Sequence, residues 1–181
     1  LVGSEMCIRD RNTAMQKFGI AGWQNSGKTT LVKNLIPTFA KKGLTVSTIK
    51  HAHHNFDIDK PGKDSYEHRR AGAQEVLISS KHRWALIHEK GDKNEPNLHE
   101  LLSKLKPVDL VLIEGFKKEN HSKLEVHRGK LGKELICQTD PKICMVVSDI
   151  KLSGLDIPVF DISDYTAISE FIIEFLKLKV T

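Results

Sequence analysis

Apolar positions along this chain change their period segment by segment, and each change predicts an element. The run "KFGIAG", residues 17–22, is a short apolar stretch closed by glycine and predicts a buried strand. From Lys28 to Lys42 the residues Leu31, Val32, Leu35, Ile36 and Phe39 recur at helical spacing, with Gly43 placed as a C-cap. Pro37 falls inside that pattern and is expected to kink or shorten the helix. "LTVSTIK", residues 44–50, alternates and is β-branched, so it predicts a second strand. A polar stretch with a Pro61-Gly62 turn signal follows, and "SYEHRRAGA" then predicts a helix capped by Asp64 or Ser65.

Two strands, "EVLISS" and "RWALIHE", come next, joined by a short polar turn. "NEPNLHELLSKL" predicts a helix stopped by Pro107. "VDLVLIEG", residues 108–115, is the most continuous apolar strand of the chain and is expected at the sheet centre. "KLEVHR", "KICMVVSD" and "IPVFDI" predict further strands, and Ile168, Phe171, Ile172 and Phe175 mark an amphipathic C-terminal helix. This alternation predicts an α/β fold: a mainly parallel sheet flanked by helices, with a small antiparallel portion at the adjacent strand pair. One domain is expected over residues 15–181. The opening "LVGSEMCIRDRNTA" has neither helix nor strand period and is expected to be a non-native or disordered leader.

Composition narrows the function classes. The chain has 181 residues, 39% hydrophobic and 28% charged, which is ordinary for a globular protein able to bury a core. A net charge of +5 favours anionic partners, but lysines are spread along the chain and no run of five basic residues occurs. With two Tyr and two Trp there is little for base stacking, so no nucleic-acid partner is expected. Cys7, Cys137 and Cys144 form no CxxC pair, which fits a reducing compartment. No apolar stretch approaches the roughly 18 residues of a membrane span. A cytoplasmic protein with no membrane partner is expected.

The chemistry begins at Gly22. Gly22-Trp23-Gln24-Asn25-Ser26-Gly27-Lys28-Thr29 meets every fixed position of G-x-x-x-x-G-K-[ST], between a predicted strand and a predicted helix. Gly22 and Gly27 let the backbone turn its N–H groups onto an anion, and the helix start adds its positive end. Lys28 reaches β- and γ-phosphates, and the Thr29 hydroxyl can ligate Mg²⁺. Trp23 receives no role. Glu114 closes an apolar strand, and a carboxylate at the C-terminal end of a parallel strand points into the ligand crevice. It is therefore the Mg²⁺ or water-orienting candidate, with Gly115 allowing close approach to a phosphate. Asp109, at the strand start, is read as a solvated residue.

"KHAHHNFDIDKPGKDS" places His51, His53, His54, Asp57, Asp59 and Asp64 in one segment after the second strand. Imidazole and carboxylate are zinc ligands, yet no second cluster accompanies them, and a nucleotide-responsive loop is the stronger expectation. Either Asp57 or Asp59 could meet Mg²⁺, and Lys60, Lys63, Arg69 and Arg70 are candidate phosphate contacts. Asp149 ends "CMVVSD", where it could accept from a guanine edge or cap a turn.

"GWQNSGKTTL", "TIKHAHHNFDIDKPGKDSYEHRRAGA" and "DLVLIEGFKKE…KLEVHR", in that order, resemble MobB, the molybdopterin-guanine dinucleotide biosynthesis adaptor family. The resemblance implies a P-loop NTPase fold of the SIMIBI class, GTP and Mg²⁺ as cofactors, and a homodimer. It also implies partnership with a MobA-like guanylyltransferase and with molybdopterin or its guanine dinucleotide. Carried onto this chain, Gly22, Gln24, Asn25, Ser26, Gly27, Lys28, Thr29 and Thr30 cradle the phosphates. Thr29 and Glu114 hold Mg²⁺ with Asp59 as a third contributor; Lys28, Glu114 and Asp59 carry any hydrolysis. His51, Asp57, Lys60, Lys63, Asp64 and Ser65 form the loop beside the γ-phosphate, while Lys117, Lys123 and Arg128 lie toward the anionic pterin or the partner. The N-K-x-D signature that reads guanine in many GTPases is absent. The other functions weighed are a small-molecule kinase, which calls for an arginine-rich lid, and a GTP-dependent metal-insertion chaperone, which calls for paired Cys/His ligands.

Overall fold

The computed structural model describes residues 15–52, 56–91 and 94–180. The expected leader (residues 1–14) and the histidines His53 and His54 lie outside the described residues. The chain divides into two compact units, one of residues up to 51 and from 101 onward, the other of residues 52–100.

The larger unit is built on a six-stranded sheet in the order β2-β5-β1-β6-β7-β8. These are β1 Gln16–Gly22, β2 Val46–Lys50, β5 Leu110–Glu114, β6 Lys123–His127, β7 Ile143–Ser148 and β8 Val159–Asp161, and every pairing is parallel. β1 and β5 lie inside the sheet, and their side chains from Phe18 and Leu110 onward are almost wholly buried, as continuous apolar runs require. Helices α1 (Lys28–Lys41) and α4 (Tyr165–Phe175) press Leu31, Leu35, Phe39, Ile168 and Ile172 into one core with Phe18, Ile20, Leu112, Leu124 and Met145. Pro37 sits within α1 and does not end it, contrary to the shortening that its position suggested. Gly43, at φ 75°, takes the left-handed position after the Lys42 cap, and the amides of Gly43 and Leu44 close on Ala40 and Phe39.

The connection from β5 to β6 explains Gly19. Parallel strands usually need a crossover of a dozen or more residues, yet here residues 115–122 suffice. The register shows how. β5 ends at Glu114, opposite Ile20, and β6 begins at Lys123, opposite Gly19. β6 is thus displaced along β1 toward the phosphate loop, and the connection passes straight across the strand. A Cβ on Gly19 would stand 2.6 Å from both His121 Nε2 and Lys123 Cγ. Only glycine leaves room for that crossing.

Asp109 is a structural residue rather than a solvated one. Its Oδ2 accepts from the Thr45 amide at 2.7 Å and the Thr45 hydroxyl at 2.6 Å, joining the entrances of β2 and β5. Cys137 and Cys144 are free thiols.

The smaller unit contains α2 (Asp64–Arg70) and the antiparallel pair β3 (Glu75–Ser79) and β4 (Trp84–His88), the expected antiparallel portion, as a separate sheet. α2 begins at Asp64 with Lys63 at the cap position and no side-chain cap, so neither Asp64 nor Ser65 acts as the expected capping residue. A last short helix, α3, spans Leu98–Ser103. Among the described residues no helix is long and apolar enough to cross a membrane.

Candidate functional site

The phosphate loop joins β1 to α1. Gly22 (φ 146°) and Gly27 (φ 98°) both hold conformations that L-residues avoid, and Asn25 between them is left-handed at φ 63°. A Cβ on Gly22 would meet Ser26 Oγ at 2.6 Å and Val126 O at 2.7 Å, so the loop is wound tightly over a buried Ser26 side chain. Lys28 Nζ donates to Gly22 O at 3.1 Å and Trp23 O at 2.9 Å, which curls the lysine back over the loop. Burial lowers the Lys28 pKa from its ordinary value, Glu114 opposes that shift, and Lys117 and Lys50 add to it. Three ammonium groups around one carboxylate leave a surplus of positive charge, which suits a polyanion.

Thr29 and Glu114 meet as the sequence suggested. The Thr29 hydroxyl lies 3.5 and 3.4 Å from the two carboxylate oxygens of Glu114. That is long for a direct hydrogen bond, and it is close to the roughly 3 Å separating neighbouring oxygens around one octahedral Mg²⁺. This donor set, a hydroxyl and a carboxylate beside a phosphate loop, fits a hard divalent cation. Lys50 Nζ stands 3.8 Å from Glu114 Oε1, with its side chain 61% exposed. Gly115 (φ 99°) serves a packing purpose: a Cβ there would sit 2.5 Å from His51 Cβ. His51 donates its amide to Glu114 O at 2.8 Å and lays its ring on Phe116, 4.8 Å between centroids. His51 and Gly115 therefore shape the strand end that carries Glu114.

Beyond β6, Arg128 reaches the loop from the other side. Its Nε donates to Ser26 O at 3.2 Å and its Nη1 to Asp149 Oδ2 at 3.4 Å. Asp149 Oδ1 accepts from Gly129 N at 2.9 Å. The Gly129 amide first, and Arg128 after it, hold the Asp149 carboxyl below its usual pKa. A cavity of about 160 Å³ opens here, lined by Gly27, Thr30, Leu31, Arg128, Ile162, Ser163 and Tyr165.

Trp23, given no role by the sequence, braces the loop: its Nε1 donates to Glu134 O at 2.9 Å, and Lys117 and Lys133 lie 5.5 and 5.8 Å from its ring. The segment it leans on is anchored by Glu125, fully buried, which accepts from the amides of Ile136 and Cys137 at 2.9 Å. A buried acid in "KLEVHR" was the only sequence signal for that anchor. Lys123, expected to face an anionic ligand, is instead 2% exposed, donating to Glu119 O at 2.9 Å and pairing with Asp140 at 3.2 Å. Strand alternation misleads here: it sets Lys123, Glu125 and His127 on the face opposite Leu124 and Val126, yet β6 is buried on both faces.

The acid-rich segment belongs to the smaller unit and is organised by Arg69. Arg69 Nη1 donates to Asp57 Oδ1 at 2.8 Å and its Nε to Glu89 Oε1 at 2.7 Å, while Asp59 Oδ2 stands 3.6 Å from Nη1. The Arg69 guanidinium holds Asp57 below the usual carboxylate range. Asp59 Oδ1 accepts from Ser65 Oγ and from Lys60 N, both at 2.9 Å, and its side chain is 7% exposed. Arg69, a candidate phosphate contact, thus binds Asp57 and Glu89, while Asp59 lies beside it, held through Oδ1 by Ser65 and Lys60. Lys63, Asp64, Ser65 and His68 line a groove of about 470 Å³ beside β3. Among the described residues no group of three or more His, Cys, Asp or Glu side chains is arranged to hold a metal.

This arrangement has close counterparts. The family model MobB, described as molybdopterin guanine dinucleotide synthesis protein B, matches residues 17–149. A molybdopterin-guanine dinucleotide biosynthesis adapter protein of Escherichia coli is 40% identical over 170 residues, covering 91% of this chain and 95% of that protein. The protein of the same name from Haemophilus influenzae is 36% identical over 163 residues, covering 89% of each. A crystal structure of molybdopterin-guanine biosynthesis protein B superposes with a TM-score of 0.69 at 26% identity, covering 88% of this chain and 99% of that one. Motif order, parallel sheet and matched length agree, and the chain belongs to the MobB family.

Proposed function

We propose that this chain is a GTP-binding adapter of molybdopterin-guanine dinucleotide biosynthesis, acting with a MobA-like guanylyltransferase in the cytoplasm. One observation carries the nucleotide part: the Thr29 hydroxyl and both Glu114 oxygens converge at 3.4–3.5 Å beside a phosphate loop wound around Lys28. Thr29 and Glu114 would hold Mg²⁺, which would supply charge neutralisation for the nucleotide's phosphates. The chain's own part is to hold them: Gly22–Thr30 supply amides, Lys28 a charge, and Thr29 and Glu114 the metal's oxygens. Arg128 borders the loop on the side of β1 away from Glu114, next to Ser26 and Asp149, and so is not placed as an arginine finger at the terminal phosphate. Hydrolysis by the isolated protein is accordingly slow. The adapter role and its pterin product come from the relatives' names together with family membership.

A homodimer completes the reading. In the smaller unit Leu77, Trp84 and Leu86 are exposed on one face of the hairpin, an apolar patch of the kind that marks a protein contact.

The test is thermal melting of the full chain with Mg²⁺ and GTP, GDP or ATP. GTP at a hundred times its dissociation constant stabilises by about 2.7 kcal/mol, and ATP shifts the melt little. Lys28→Ala lowers GTP affinity at least about 100-fold with the unliganded melt unchanged. A shift with ATP alone overturns the reading.

A further inference from the structure

Glu114 and Arg128 flank the phosphate loop from opposite sides. In the strand order, β5 with Glu114 lies on one side of β1, while β6 and β7, which lead to Arg128 and Asp149, lie on the other. A nucleotide whose terminal phosphates and metal sit at Thr29 and Glu114 must send its remaining phosphate, sugar and base toward the second side. The 160 Å³ cavity lies there, bordered by Gly27, Thr30 and Arg128. Its size suits part of a nucleotide rather than a whole drug-sized ligand, for which pockets start at roughly 300 Å³.

Arg128 is placed there by the displaced register of β6, since Val126 is opposite Gly22 and Arg128 extends two residues further along the loop. Its guanidinium has three distinct directions. Nε is anchored on Ser26 O at 3.2 Å. Nη2 lies over Gly27, 3.3 Å from where a Cβ would stand, a close approach that glycine leaves uncrowded. Nη1 holds Asp149 Oδ2, at 3.4 Å with both side chains 28% exposed. That contact is longer than the 2.7–2.9 Å of a strong charge-assisted bond, and a half-open pair of this kind contributes little. A phosphate oxygen beside Thr30 offers the same guanidinium a stronger partner.

We propose that Arg128 couples phosphate binding to base reading: it restrains Asp149 in the empty protein and exchanges that carboxylate for the nucleotide's inner phosphate. Asp149 is then free to accept from the two donors on guanine's edge, N1–H and the 2-amino group. Gly129 N keeps Oδ1 oriented throughout, and each carboxylate oxygen has a second lone pair for a further donor. Arg128 is a phosphate-contacting and positioning residue, Asp149 the specificity determinant, and guanine selectivity no longer requires N-K-x-D. This inference rests on the GTP-binding reading above.

Calorimetric titration of the full chain with Mg²⁺ and GTP, ITP (which lacks the 2-amino group) or guanosine separates the two. Wild type binds GTP about tenfold or more tighter than ITP, and guanosine only weakly. Arg128→Ala weakens GTP about tenfold, keeps the GTP-to-ITP ratio, and tightens guanosine severalfold, because Asp149 is unmasked. Asp149→Asn brings GTP down to ITP. Arg128→Gln, which keeps the bulk over Gly27, carries the same expectations should the alanine variant melt early. A parallel loss of GTP and guanosine in both Arg128 variants, or no change in either, overturns the coupling while wild-type GTP binding still stands. Failure of wild type to bind any guanine nucleotide overturns the GTP reading itself.

Discussion

The phosphate loop and the acid-rich segment are both conspicuous as sequence, yet they are held in different ways. The loop rests on strands whose registers are set by buried side chains, with Phe18, Ile20 and Leu110 through Ile113 essentially inaccessible. Its groups are therefore positioned from beneath, and Thr29 and Glu114, 85 residues apart, meet because β1 and β5 pair. The acid-rich segment is organised around a charged hub instead, the Arg69 guanidinium with Asp57, Asp59 and Glu89 about it. Its partners are held by Arg69 through contacts to Asp57 and Glu89, both more than 40% exposed. A core pins the first set of groups at any ionic strength, whereas screened charge pairs pin the second. Supplying a motif's chemistry and fixing its geometry are thus separate tasks, and the geometry is fixed by different forces in the two regions.

Substitutions at the two sets of acids break or sharpen that contrast most strongly. Glu114→Gln weakens Mg²⁺-dependent GTP binding by about 100-fold and leaves the unliganded melt nearly unchanged, read by titration with and without Mg²⁺. Asp59→Asn tests whether a third carboxylate joins the metal. An equally large loss of Mg²⁺ dependence assigns Asp59 there, and a loss confined to amide protection around residues 57–70 assigns it to Ser65 and Arg69 alone.

Gly19→Ala attacks the frame itself. Crowding His121 and Lys123 under the crossover costs about 2–3 kcal/mol in chemical denaturation. Because the crossing positions β6, GTP affinity falls with it. An alanine variant as stable as wild type refutes the crossing argument.

A pH effect of similar origin follows from His121. Burial first, then Lys123 and Lys17, depress its pKa from 6.5 to about 4, while Asp140 acts weakly the other way. Both ring nitrogens are buried without a hydrogen-bond partner. The unfolded chain takes up a proton near pH 6.5 that the folded chain refuses until about pH 4, so stability present at neutral pH is lost as pH falls through that window. At pH 5 the loss is about 2 kcal/mol relative to pH 7, and His121→Leu flattens that part of the curve. The smallest effect belongs to Arg69→Ala: severalfold faster amide exchange confined to the smaller unit, with added salt mimicking it in wild type.

Some of this was legible in one dimension. G-x-x-x-x-G-K-T between an apolar strand and a helical period specifies a phosphate loop, because the backbone turn, the charge and the hydroxyl are local to eight residues. Glu114 was legible too, since a carboxylate at the end of the most apolar strand has one place to go. The hairpin announced itself by adjacency. Lys123, Asp109 and Trp23 were misread or unassigned for a shared reason: each takes its role from a residue far along the chain, Asp140, Thr45 and Glu134 respectively.

The sequence by itself determined the order of elements, the parallel sheet and the chemistry of the loop, because periodicity and short-range turn geometry are properties of neighbouring residues. Tertiary structure alone decided that a short crossover runs over Gly19, that β6 slides toward the loop, and that Arg128 arrives between Ser26 and Asp149. Those outcomes depend on strand register, which is settled by how buried side chains from distant segments fit together, and no local pattern encodes that fit.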